Sequence, residues 1–148
     1  MYFDKTQFIE SEAEFPEKVV GKFMESFSIA TEGLAELRVS AMGASDRIIH
    51  MLGPFPFQFD LSLSSPYLAG YSYEVLYFGY DLSLYPVTYI VNGDIASSVG
   101  INTNPFLSGA KLVASSEQDF TKSLEEILSC AHFRATVGGL MKIARNRS

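Results

Sequence analysis

From Phe55 the chain alternates. Phe55, Phe57, Phe59, Leu61 and Leu63 fall on one side, and Gln58, Asp60 and Ser62 on the other, the period-two pattern of a half-buried strand. Tyr71 to Tyr80 is denser, with Tyr71, Tyr73, Val75 and Tyr77 on one face and Leu76, Phe78 and Tyr80 on the opposite one, so either both faces are at least partly covered or one of them is a sticky surface. Tyr85 to Val91 continues the β-rich character. Asn92-Gly93 then offers the two positive-φ residues of a type I′ turn, predicting a hairpin into a strand over Asp94 to Val99. A Pro/Asn loop from Asn102 to Gly109 leads to a short apolar segment, Lys111 to Ala114.

On either side of this region the period is helical. Pro16 suits a first helical position and Glu17 the positive end of the dipole. Val19, Val20, Phe23, Phe27, Ala30, Leu34 and Leu37 recur at helical spacing, predicting one amphipathic helix interrupted near Gly33. Leu37 to Met42 alternates and could instead be a strand. A short helix is expected from Ser45, as N-cap, to Leu52, stopped by Gly53-Pro54. In the last third, Ser115 and Gln118 fit a capping box ahead of the stripe Phe120, Leu124, Ile127 and Leu128. Ser129 to His132 reads as a joint into a final helix carrying Phe133, Val137, Leu140, Met141 and Ala144. Gly138-Gly139 weakens that helix by roughly 1 kcal/mol per glycine relative to alanine. Residues 1–14, acidic at Glu10, Glu12 and Glu14, are expected to be a loosely attached lead-in or a short edge strand. Helices at both ends and contiguous strands between them predict an α+β domain over residues 1–148, with an antiparallel sheet of about four to six strands flanked by N-terminal and C-terminal helices.

Composition narrows the class. With 47% apolar and 19% charged residues among 148, the chain has the makings of a packed core and not of a disordered segment. One cysteine, Cys130, allows neither an internal disulfide nor a four-cysteine metal site. No signal peptide and no apolar run of roughly 20 residues is visible, so the expected location is cytoplasmic and no membrane is expected as a partner. A net charge of −6 argues against affinity for nucleic acid.

Motifs for chemistry are sparse. Cys130 and His132 stand two apart, a spacing at which helical residues do not face each other, so a thiol–imidazole dyad is disfavoured. His50, among Ile48, Ile49, Met51 and Leu52, reads as a hydrogen-bonded residue at the rim of the core. Glu125 and Glu126 read as a solvated helix surface. No phosphate-binding loop, dinucleotide fingerprint or serine elbow occurs. The expectation is therefore no catalytic residue, no metal and no cofactor.

The distribution of charge is more informative than its sum. Between Arg47 and Lys111 there is no lysine or arginine, while Asp60, Glu74, Asp81 and Asp94 lie there together with seven of the eight tyrosines. Tyrosine is enriched at interface hot spots and lysine depleted at their cores, and carboxylates steer a basic partner. Tyr73, Glu74, Tyr77, Tyr80, Asp81, Tyr85 and Asp94 are the candidate partner-binding residues on an anionic, base-free sheet. Packing of some rings over the sheet accounts for part of the tyrosine content, but leaves the missing bases unexplained, since strands commonly use lysine to protect exposed edges.

A small acidic α+β domain with Tyr, Asp and Glu on its sheet, and a closing helix reading Ser116-Glu117-Gln118-Asp119-Phe120 into Leu124 and Ile127-Leu128, resembles bacterial immunity proteins of polymorphic toxin and contact-dependent growth inhibition systems. The resemblance implies a cytoplasmic inhibitor that binds one cognate toxin domain, often a nuclease. Two other readings stay open: a secretion-chaperone-like adaptor, and a small-molecule-binding domain or enzyme with an apolar pocket among Phe55, Phe57, Phe59, Tyr77 and Tyr89.

Overall fold

The computed structural model of the chain describes the backbone of residues 2–50, 52–102 and 109–148, and the side chains of all of these except 48–50. Among the described residues the elements run α1 (Pro16–Ala30), β1 (Glu36–Ala41), α2 (Ala44–His50), β2 (Phe57–Ser64), β3 (Tyr73–Tyr80), β4 (Val87–Asn92), α3 (Gly93–Val99), β5 (Gly109–Ala114), α4 (Glu117–Ser129) and α5 (Ala131–Arg147). The five strands form one antiparallel sheet in the order β1-β2-β3-β4-β5. This is the α+β arrangement expected from the pattern, with helices at both ends of the chain and strands between.

The core lies between one sheet face and four helices. Leu37, Leu61, Leu63, Leu76, Phe78, Val87, Tyr89 and Val91 of the sheet share a cluster with Val19 and Val20 of α1, Ile95 and Ala96 of α3, Phe120, Leu124 and Ile127 of α4, and Phe133, Val137 and Leu140 of α5. Phe120 is its aromatic hinge, its ring 5.7 Å from Phe78 and 6.0 Å from Tyr89. The stripes read from the sequence in α4 and α5 are the faces buried here, whereas in α1 Val19 and Val20 are buried, Phe23 and Phe27 half-buried and Ala30 exposed.

Several local expectations are corrected. Asn92-Gly93 makes no hairpin turn, and residues 94–99 make no strand: Asn92 is the N-cap of α3, its side-chain oxygen accepting from the amides of Asp94 (2.9 Å) and Ile95 (3.3 Å). Gly93 is not among the positive-φ residues, and Asp94 suits the first turn of a helix. The same Asn-Gly pair serves either purpose, and Ile95 and Ala96, fully buried, decide for the helix. Helix α1 ends at Ala30 and does not reach Leu37. The Thr31 hydroxyl donates to the carbonyls of Phe27 and Ala35, and Gly33, at φ +72°, turns the chain into β1, so the strand alternative for Leu37 to Met42 is the one realised, over Glu36–Ala41. Helix α2 starts at Ala44, with Ser45 inside it. Ser116, not Ser115, caps α4, accepting from the Asp119 amide.

Two corrections bear on the site. A register shift between Leu61 and Ser62 pairs Leu61 with Leu76 but Ser62 with Glu74, leaving Val75 as the extra residue of a β-bulge. A bulge re-aims the side chains beyond it. Tyr73 therefore joins the helix-covered face, and Glu74 joins Tyr77 on the opposite one. The sheet is also not base-free, because its outer strands come from sequence on either side of the base-poor interval. Arg38 of β1 and Lys111 of β5 stand on the same face as Asp60 and Glu74, by the pairings Arg38 to Ser62 and Lys111 to Ile90. Only the three central strands lack lysine and arginine.

Residues 2–14 form no helix or strand apart from a 3₁₀ turn at Lys5–Gln7, and all but Ala13 and Glu14 are exposed. Glu14 pins the end of this lead-in: its amide donates to Glu117, and its carbonyl accepts from the Tyr85 hydroxyl. The expected loop from Asn102 to Gly109 lies largely outside the described residues.

Candidate binding site on the second sheet face

The tyrosines divide by face, and the division separates structure from candidate function. The Tyr80 hydroxyl donates to both carboxylate oxygens of Glu17 on α1, at 2.7 and 2.9 Å, and its residue is 3% exposed. Burial and the Glu17 carboxylate hold that hydroxyl far above the usual tyrosine range. Tyr85 bonds the lead-in as described, with its pKa pushed up to about 12, first by burial and then by Glu117, Glu14 and Glu17. Tyr73 meets the His132 ring nitrogen Nε2 of α5 at 3.0 Å, and its pKa is raised, first by burial. Tyr89 donates to Ser123 of α4. Each ring fills space on the helix-covered side while its hydroxyl ties the sheet to another segment, so these tyrosines work as buried amphipathic side chains do.

Of the seven candidate residues, the structure brings Glu74 and Tyr77 together on the second face. Tyr73, Tyr80 and Tyr85 belong to the helix side. Asp81 is exposed in the β3–β4 loop, its carboxylate accepting from the Leu82 amide. Asp94 is exposed in the first turn of α3. Asp81 and Asp94 stand at opposite ends of β3, roughly 20 Å apart by strand rise. A single contiguous patch of all seven is not formed.

Glu74 and Tyr77 gain Asp60 of β2 as a neighbour, paired directly across from Tyr77. All three are half-buried. Burial, then Asp60 and Asp46, pushes the Glu74 carboxyl up to about 7. Burial, then Glu74, Asp60 and Asp46, pushes the Tyr77 hydroxyl up to about 12. Asp46 sits in the first turn of α2. One end of this face is roofed by residues 52–56, ahead of β2. Leu52 and Phe55 lie over Gly79, where an added Cβ would come within 2.9 Å of Leu52 and 3.2 Å of Phe55. Gln58, 3% exposed, fastens that segment by donating to the carbonyls of Gly53 and Phe55. Phe55 is thus on the face opposite Phe57 and Phe59, which stack on Tyr80 and Phe78.

Between β3 and the start of β5 is a cleft of about 230 Å³, bordered by Glu74, Tyr77, Ile90, Asn92 and Gly109. Its origin is the sheet register. The β3–β4 pairing runs from Leu76–Val91 to Gly79–Thr88, and beyond it the strands are bridged by the Asn92 side-chain amide donating to the Glu74 carbonyl at 2.9 Å. Gly109 is needed where β5 begins, since a Cβ there would stand 1.9 Å from the Val91 carbonyl oxygen. The Glu74 carboxylate oxygen Oε2 is buried and has no hydrogen-bond partner among the described residues.

The residues considered for other chemistry are engaged separately. Cys130 caps α5, its sulfur accepting from the Phe133 amide. His132 meets Tyr73 through its ring and the Ser98 hydroxyl through its backbone amide. The side chain of His50 lies outside the described residues. Phe55 and Tyr77 lie on the face opposite Phe57, Phe59 and Tyr89, so these five line no common pocket. Among the described residues no three His, Cys, Asp or Glu side chains are grouped as a metal would require, and no helix is long and apolar enough to cross a membrane. No protein-family model, curated protein or solved structure matches this chain.

The sequence singled out Glu74 and Tyr77 but missed Asp60 as their companion, and missed the cleft. Alternation in β2 already placed Asp60 opposite the apolar side, and that was the available signal. The bulge at Val75 has none.

Proposed function

We propose that this chain is a non-catalytic protein-binding inhibitor that neutralises a cognate toxin domain, as its resemblance to bacterial immunity proteins implies, by pressing the second sheet face against a basic surface of that protein. The observation that carries the reading is the grouping of Asp60, Glu74 and Tyr77 on strands without lysine or arginine, in the field of Asp46. A half-buried tyrosine beside carboxylates is the chemistry of an interface anchor, and the carboxylates would steer a cationic partner while opposing an acidic one. Tyr80, Tyr85 and Tyr73 support the site from behind by fixing α1, the lead-in and α5 to the sheet. Arg38 and Lys111 at the edges bound the anionic strip and set the extent of the expected contact. A nuclease whose active site is cationic fits such a strip, which would take the place of a nucleic-acid backbone.

Coexpression with the product of the adjacent upstream gene tests this. The expected result is a stable complex and relief of that protein's toxicity; no complex and undiminished toxicity would refute the reading.

A further inference from the structure

We propose that the cleft beside Glu74 receives one arginine side chain presented by a protein partner; this rests on the binding role proposed above and specifies its central contact. Size is the first argument. At about 230 Å³ the cleft falls below the roughly 300–1,000 Å³ of pockets that enclose drug-sized ligands, yet it has room for the end of a single long side chain.

Charge and hydrogen bonding are the second argument. Glu74 Oε2 is buried without a donor, and a buried acceptor left unpaired is costly. Asp60 and Asp46, the carboxylates whose charge acts on Glu74, make the site more negative still. An incoming N–H donor with positive charge relieves both the missing hydrogen bond and the repulsion that Asp60 and Asp46 exert on Glu74. Among the described residues no side chain donates to Glu74 Oε2. Arg38, in the same cross-strand row beyond Ser62, is exposed, and no ion pair joins it to Glu74 among the described residues.

Shape distinguishes arginine from lysine. Tyr77 and Ile90 are directly paired across β3 and β4 and give the cleft an aromatic wall next to an aliphatic one. A guanidinium is planar, weakly hydrated, stacks on aromatic faces and presents several donors in a fixed fork, whereas an ammonium is a compact and strongly hydrated point charge. The bulge at Val75 is what turns Glu74 onto this face, beside the cleft.

The test uses the full chain alone, titrated with N-acetyl-arginine methylamide and followed by amide chemical shifts, with the citrulline analogue as an uncharged isostere. Expected are shifts confined to residues around Glu74, Tyr77, Asn92 and Gly109, saturating with a millimolar midpoint. The citrulline analogue should give shifts at least about fivefold smaller, and Glu74→Gln should abolish the arginine response. Equal responses to arginine and citrulline, shifts centred elsewhere, or no response in the folded wild-type chain would each overturn the proposal without depending on how the variant folds. Arginine binding here combined with failed coexpression would refute the toxin-inhibitor role alone. Neutralisation without any arginine response would refute the cleft's role alone.

Discussion

At the scale of single residues, the chain uses similar side chains for opposite ends. Tyr80 and Tyr77 are three apart on β3, but the first is locked to Glu17 under α1 and the second stands among carboxylates on the other face. Tyr80→Phe removes the hydroxyl that donates to Glu17, and should lower unfolding stability by about 1–2 kcal/mol in a urea titration. Glu74 gives a pH-dependent prediction. Its carboxyl is raised from 4.5 to about 7, first by burial. Between those values the folded chain keeps a proton that the unfolded chain has released, so this residue's favourable contribution is complete below about pH 4.5 and is lost as the pH rises through 7. Glu74→Gln, which cannot ionise, should match the wild type near pH 4 and exceed it near pH 8 by about 1 kcal/mol, a figure reduced for the partial exposure of the group. Denaturation curves at the two pH values check both the sign and the size.

At the scale of elements, what the sequence made legible was whatever repeats. The stripes of α1, α4 and α5 and the alternation of β2 each involve four or more positions, so one misplaced residue does not hide them. Features decided by one or two residues were not legible. Asn92-Gly93 fits both a hairpin turn and a helix cap, and only the burial of Ile95 and Ala96 against α4 and α5 separates the two. Asn92 in fact has three bonds: two as cap, and one holding the Glu74 carbonyl. Asn92→Ala should therefore cost about 1–2 kcal/mol, with Asn92→Asp recovering the cap portion and not the bond to Glu74. Unfolding midpoints of the two variants, compared with the wild type, measure that split. The bulge at Val75 leaves no periodic trace because it is a single inserted residue, yet it determines which of Tyr73 and Glu74 faces the helices.

At the scale of the whole molecule, a net charge of −6 turns out to be organised by the sheet order. The central strands carry Asp60 and Glu74, and the outer strands, drawn from sequence outside the base-poor interval, add Arg38 and Lys111 at the edges. The candidate site was therefore legible in kind, as acids beside tyrosine, but not in extent, because extent follows from long-range pairing that no local pattern contains. The partner is proposed to sit on the face bearing Tyr77, and not at the β3–β4 loop end of the sheet. Calorimetric titration of the chain against the product of the adjacent upstream gene tests this most directly, using Tyr77→Ala and Asp81→Asn variants confirmed as folded. Tyr77→Ala should weaken binding by about 30-fold, equivalent to about 2 kcal/mol, while Asp81→Asn should stay within about threefold of the wild type. Wild-type affinity in Tyr77→Ala, with the loss appearing in Asp81→Asn, would contradict it.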